Sequence, residues 1–235
     1  TETTAPVTVN LPTKFKIGTV GIPLPGNAVQ LADDGEILVK GVCVFDGYWQ
    51  NEEATREAFD PNGWLHTGDL GSIDDEGYVT ITGRKKELLI TAGGKNIAPA
   101  QLEDPIRSNT LVGQVVAVGD RKPFVGALVT LDEEMLPVWL ENNGERRDLS
   151  LAEAAHNPKV VAEVQRAIDA ANAKVSRAES IRKFAILDTT WTEASGHLTP
   201  KLSIKRHVIT RDFADTIEGL YSDPPTDTHS VTTHS

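Results

Sequence analysis

The chain has 235 residues, 39% apolar and 24% charged, a composition ordinary for a soluble globular protein of one large domain or two small ones. Its 23 basic and 34 acidic residues leave a net charge of −11, which argues against a nucleic-acid partner because phosphate backbones select basic surfaces. A single cysteine, Cys43, excludes an internal disulfide and a cysteine-built metal site, and suits a reducing compartment.

In chain order, short runs at 19–22, 28–31, 36–40, 42–45 and 78–82 predict strands, parted by the turn sequences PLPGN, DDG, PNG and DEG. A short helix is expected at 52–59. The character changes near Gly83, after which strands and helices alternate. Strands are expected at 87–92, 114–118, 125–131 and 181–187, and helices at 99–108, 133–142 and 203–213. The best-marked helix follows Asn157, which suits a cap, and Pro158, which suits the first turn. Val160, Val161, Val164, Ile168, Ala171 and Val175 then recur at helical spacing, a stripe to be laid on a sheet. The tail SDPPTDTHSVTTHS has too little apolar content to fold. The fold class is therefore α/β (α+β), a small β-rich, barrel-like unit followed by an α/β domain, and the sequence contains no internal repeat.

The first ten residues, TETTAPVTVN, lack the basic and apolar regions of a signal peptide, and no apolar run approaches the roughly eighteen residues of a membrane span. The chain reads as cytoplasmic, with peripheral membrane association and oligomeric state left open. Its opening on a β-rich half, with no glycine-rich phosphate loop before it, predicts a segment of a longer polypeptide.

Several residues invite a chemical reading. Asp69, in TGDLG, reads as a turn residue whose carboxylate either solvates the turn or accepts two hydrogen bonds from a vicinal diol such as a ribose. Arg84, Lys85 and Lys86 either solvate a strand end or neutralise a phosphate. Gly93 and Gly94 either make a plain turn or let backbone approach a ligand closely.

Taken together, these stretches resemble the adenylate-forming acyl-CoA synthetase superfamily. "GWLHTGD" at 63–69 and "GRKKELLITAGGKNIAP" at 83–99 look like its two best-known carboxy-terminal motifs. TETT resembles the end of its tyrosine-glycine-x-threonine-glutamate motif, the segment from "VGIPLPGN" to "EATREAF" resembles its β-barrel segment, and "GHLTPKLSIKR" is similar to its carboxy-terminal lysine motif. "KNIAP" and "LTPKLSIKR" are most similar to long-chain fatty-acid-CoA ligases. The resemblance implies that ATP and a fatty acid give acyl-adenylate and pyrophosphate, after which coenzyme A takes the acyl group and releases AMP. It also implies fatty acid, ATP/AMP, Mg2+ and coenzyme A as the small-molecule partners.

The resemblance assigns roles residue by residue. Thr1 would touch the nucleotide phosphate, and Glu2 would offer a hard carboxylate oxygen to magnesium. Asp69 and Arg84 would meet the ribose. Lys86 would be the hinge between residues 1–83, the end of a large AMP-binding domain, and a small mobile domain at 84–220, followed by a disordered tail at 221–235. Gly93, Gly94 and Lys95 would line the pantetheine passage. Long-chain ligases usually end this last motif in lysine-x-lysine-arginine, whereas this chain has Ser203, Ile204, Lys205 and Arg206. Aligned to the superfamily's serine-glycine-lysine form, Lys205 is the catalytic lysine, with Lys201 as the alternative. Rival readings are a fatty acyl-AMP ligase that loads a carrier protein and a non-catalytic binding module.

Overall fold

The computed structural model describes residues 1–222, which form two compact units, Thr1–Leu88 and a second beginning at Leu89. The expected tail beyond Ser222 lies outside the described residues.

The first unit is a curled antiparallel sheet. Strands β1 (Thr8–Val9) and β2 (Ile22–Pro23) pair with each other, and β3 (Asn27–Leu31), β4 (Glu36–Gly41), β5 (Leu65–Ile73) and β6 (Val79–Arg84) form a four-stranded meander in sequence order. A helix, α1 (Glu52–Ala58), intervenes before β5, its first turn capped by Asn51, which accepts from the Ala54 N–H. A bridge between Gly21 and Val79 brings the chain ahead of β2 against β6, so the sheet rolls toward closure. Ile37, Val39 and Val79 are buried inside the curl with Val7, Val29, Val44 and Ile73 packed around them. Ile37 and Val39 alternate along β4 with Glu36 and Leu38, which are buried on its opposite face.

The second unit is a three-layer sandwich. After a hairpin of β7 (Leu89–Ile90) and β8 (Asn96–Ile97) come α2 (Ala100–Arg107), β9 (Val112–Val118), β10 (Val125–Leu131), α3 (Met135–Asn142), α4 (Leu151–Ala155), α5 (Pro158–Asn172), β11 (Ile181–Ile186), α6 (Arg206–Asp212) and α7 (Ala214–Ser222). β10 lies in the centre of its sheet, antiparallel to β9 and parallel to β11. All seven of its residues are buried, which is why VGALVTL shows no polar alternation: both faces are covered. Val115, Ala117, Ala127, Val129, Phe184 and Ile186 face a core built with α2 and α5. Val116, Val118, Leu128 and Ala185 face a second core with Trp191, Ile209, Ile217 and Leu220, from the segment after β11 and from α6 and α7.

Most of the stripe on α5 packs as expected, while Val161 is only partly buried and Val175 lies beyond the helix end. Asn157 accepts from the Lys159 and Val160 N–H groups, Pro158 opens the helix, and Val160, Val164, Ile168 and Ala171 are buried in the first of these cores. Each large apolar side chain so buried contributes about 1.5–3 kcal/mol.

Several local expectations are corrected. TGDLG is not a turn: Asp69 lies inside the nine-residue strand β5, paired with β4 and β6. The turn-like composition is absorbed by irregular register on both sides of the strand and by Gly68, whose φ of 72° only glycine adopts readily. Segment 42–45 is a loop, because the β3–β4 ladder ends at the Asn27–Gly41 pair. Segment 87–92 is divided between a 3-10 turn at Lys85–Glu87 and the two-residue β7. The single helix expected at 203–213 starts only at Arg206, and a second helix, α7, follows it through Ser222, two residues into the segment expected to be unfolded. The short helix α4, with its Ser150–Glu153 capping box, was not expected.

Candidate functional site

Within the first unit, a cleft of about 840 Å³ opens on one side of the curled sheet. Its polar lining includes Thr1 and Glu2 at the chain start, Glu36 of β4, Thr67 and Asp69 of β5, Arg84 at the end of β6 and Lys86 in the 3-10 turn that follows. Its apolar lining includes Val29, Val39 and Leu65. Five residues singled out in the sequence (Thr1, Glu2, Asp69, Arg84 and Lys86), separated by as much as 85 positions, thus share one concave surface.

The ladder explains how acid and cation meet. Asp69 and Arg84 are paired across β5 and β6, and the Arg84 Nε donates to Asp69 Oδ1 at 2.7 Å. Burial raises the Asp69 carboxyl above its ordinary value, with Arg84 pulling the other way and Glu36 and Glu87 adding to the rise. Its ionised form therefore gains from further donors, such as hydroxyl groups. At the chain start, the Tyr48 hydroxyl donates to Glu2 Oε1 at 3.1 Å. Hydrogen bonds from its own backbone N–H and from Tyr48 hold the Glu2 carboxyl below its ordinary value.

The residue that sequence reasoning passed over is Glu36. It is 3% exposed and accepts from the Gly68 N–H at 2.9 Å and from Lys85 Nζ at 2.9 Å, with His66 Nδ1 at 3.0 Å. Burial alone would raise its pKa, but Lys85, His66 and the Gly68 amide outweigh it and the carboxyl stays low. Glu36 thereby ties β4 to the Gly68–Asp69 corner. Lys85 also reaches Asp34 at 2.6 Å. Of the three consecutive cations, Arg84 and Lys85 are thus engaged by carboxylates, while Lys86 enters no ion pair with the described residues. A buried glutamate opening a strand, in the sequence DDGEILV, was the available signal.

In the second unit, Gly93, Gly94 and Lys95 make the tip of the β7–β8 hairpin. The Thr91 N–H donates to the Lys95 carbonyl and the Gly94 N–H to the Thr91 carbonyl, and Gly94 has φ 76°. Lys95 Nζ lies 3.4 Å from Glu179 Oε1. Lys201 and Lys205 share a tight loop closed by the Leu198–Ile204 bridge and by the Thr199 N–H donating to the Ser203 carbonyl. Lys201 is exposed at the tip of this loop. Lys205 stands half-buried at its root, immediately before α6, with its N–H on the His197 carbonyl at 2.9 Å. The sequence alone did not separate these environments.

For a divalent cation the donor set is sparse: no cluster of three or more His, Cys, Asp or Glu side chains occurs among the described residues. Glu2 offers one carboxylate on the cleft, which fits Mg2+, an ion that keeps several waters and takes its remaining ligands from substrate phosphates. No helix among the described residues is long and apolar enough to cross a membrane.

A curled β unit followed by an α/β sandwich is the architecture of adenylate-forming enzyme domains. O-succinylbenzoate coenzyme A synthetase from Bacillus subtilis, in complex with AMP, superposes with a TM-score of 0.62 at 25% identity over 88% of this chain and 38% of that one. The same synthetase with ATP and magnesium ion gives 0.63 at 25% identity, over 88% and 39%. The chain belongs to the family of AMP-binding enzyme C-terminal domains, whose profile matches residues 86–224. It is 51% identical over 221 residues to the long-chain-fatty-acid-CoA ligase FadD15 of Mycobacterium bovis, covering 94% of this chain and 37% of that protein. It is 39% identical over 222 residues to the putative fatty-acid-CoA ligase fadD11 of Mycobacterium tuberculosis, covering 94% and 38%. The chain therefore spans a little over a third of the length of these relatives.

Proposed function

We propose that the chain is the carboxy-terminal part of a long-chain fatty-acid-CoA ligase and supplies part of its nucleotide site together with the lysine of its first half-reaction. The observation that carries this reading is the single cleft shared by Thr1, Glu2, Asp69, Arg84 and Lys86, in a chain half identical to a protein of that name. In the first half-reaction a fatty-acid carboxylate oxygen bonds to the α-phosphorus of ATP as pyrophosphate leaves. In the second, the coenzyme A sulfur, having lost its proton, bonds to the acyl carbon as AMP leaves.

In this reading Asp69, held by Arg84, accepts from the ribose hydroxyls, and Thr1 donates to the phosphate. Glu2 would hold Mg2+, which when bound neutralises charge on the phosphates. Lys205 stabilises the negative charge that builds where carboxylate and α-phosphate meet, as a preorganised cation does in a site shielded from water. Lys86 is the pivot on which the small domain turns between the two steps. Gly93, Gly94 and Lys95 then line the path of the incoming thiol.

Lys205→Ala in the whole ligase tests the reading. Fatty-acid-dependent ATP–pyrophosphate exchange is expected to fall by about 10²–10³-fold, the usual cost of one preorganised electrostatic contact. Transfer of supplied acyl-adenylate to coenzyme A is expected to survive. Lys201→Ala, measured alongside, is expected to spare both steps; a selective exchange defect in Lys201→Ala, with none in Lys205→Ala, would move the role to the loop tip.

A further inference from the structure

The ion pair between Glu103 and Arg206 belongs to the second unit, and its position in the chain gives it a use. Glu103, on α2, is 2% exposed, and its carboxylate accepts three hydrogen bonds. The Ala117 N–H of β9 donates to Oε1 at 2.6 Å, Arg206 Nη1 donates to Oε1 at 2.7 Å, and Arg206 Nη2 donates to Oε2. Arg206 is the first residue of α6 and directly follows Lys205. One buried carboxylate thus joins α2, β9 and the start of α6, across 103 positions of sequence.

A buried pair of this kind is a poor device for stability alone. Removing two charges from water costs roughly what their attraction returns, and apolar residues of similar volume often serve as well or better. The pair does fix geometry: a planar guanidinium held by two parallel bonds to a carboxylate admits one orientation. The Lys205 backbone is pinned on its other side by the His197 carbonyl, and its own carbonyl accepts from Val208 and Ile209. The lysine side chain is therefore the free end of a segment fixed at both flanks.

We propose that Glu103, acting through Arg206, is a positioning residue that sets the register of Lys205 for adenylation; this rests on the role given to Lys205 above. Glu103 touches no substrate. It fixes the start of α6 against the sheet, so that the ammonium group arrives at one place when the acyl and α-phosphate groups meet. A displacement of about 1 Å at a reacting centre is enough to cost on the order of 10²-fold in rate.

The test replaces the pair with apolar residues, Glu103→Leu with Arg206→Met, in the whole ligase, and measures thermal midpoint and both half-reactions beside Lys205→Ala. The expected result is a folded protein whose midpoint falls by a few degrees, because the apolar pair leaves the buried Ala117 N–H without its acceptor. Exchange is expected to fall by roughly 10- to 100-fold, while coenzyme A transfer from supplied acyl-adenylate stays within about threefold. Should the double variant not fold, Arg206→Lys, which keeps a cation against Glu103 but loses the planar fork, is read in the same two assays with the same expected split. A folded variant that exchanges normally, or one that loses both steps equally, overturns the positioning role. If Lys205→Ala shows its selective defect in that experiment, the reading of the lysine itself stands. If Lys205→Ala shows no selective defect, the lysine reading fails and the positioning role falls with it.

Discussion

Asp69 and Glu36 show how one carboxylate is prepared for a ligand and another for the scaffold. Asp69 keeps part of its surface on the cleft and is paired with Arg84. Asp69→Ala in the whole ligase is expected to weaken ATP binding by about 1.5–3 kcal/mol, the value of a charge-assisted hydrogen bond, as read by titration calorimetry; unaltered affinity would return Asp69 to a structural role. Glu36 is buried and saturated with donors, so its effect belongs to stability. Its folded pKa lies below the ordinary value of 4.5, so the stability it lends is fully present above that value and is lost as the pH falls through the lower folded value. Glu36→Gln is therefore expected to lower the thermal midpoint most at neutral pH, with the gap to the unsubstituted chain closing on acidification below 4.5. A gap that is constant with pH would mean that ionisation of Glu36 contributes nothing.

Two glycines separate elements that are packed shut from those left open. Gly71 lies in β5 against β6, where an added Cβ would stand 2.3 Å from the Thr80 carbonyl oxygen and 2.6 Å from Ile37 Cδ1. Backbone cannot withdraw as a side-chain tip can, so Gly71→Ala is expected to destabilise by on the order of 1–3 kcal/mol in denaturant titration. Gly93, at the β7–β8 tip, would bring its Cβ only to Thr91 Oγ1, at 3.9 Å. Gly93→Ala is expected to stay within about 0.5 kcal/mol in stability while slowing coenzyme A transfer more than exchange. Equal rates in both half-reactions would argue against a thiol path at that hairpin. The difference between the two glycines is not written in their flanking residues; it comes from β6 lying beside Gly71 and from open space beside Gly93.

At the scale of the molecule, the chain comprises a curled antiparallel unit and an α/β sandwich, with Lys86 in the 3-10 turn just before the second unit begins. Lys86→Pro in the whole ligase fixes a backbone dihedral there and removes a donor. It is expected to slow one half-reaction far more than the other, measured as exchange against transfer; matched losses at unchanged stability would place the pivot elsewhere. By itself the sequence determined the α/β class, the capped α5 and most of its stripe, the strand β10 and the motif positions, because caps, helical spacing and apolar runs are local signals that packing here reinforces. Tertiary structure alone decided that TGDLG is strand, since ladders on both sides of β5 override its turn composition, and that 203–205 is loop, since the Leu198–Ile204 bridge holds it out of α6. It also decided which cations are engaged and which lysine of the loop is half-buried, and it brought Glu36 to Gly68 and Glu103 to Arg206. Those pairings depend on residues 32 and 103 positions apart, and their physical basis is a buried carboxylate that must find donors wherever the fold brings them.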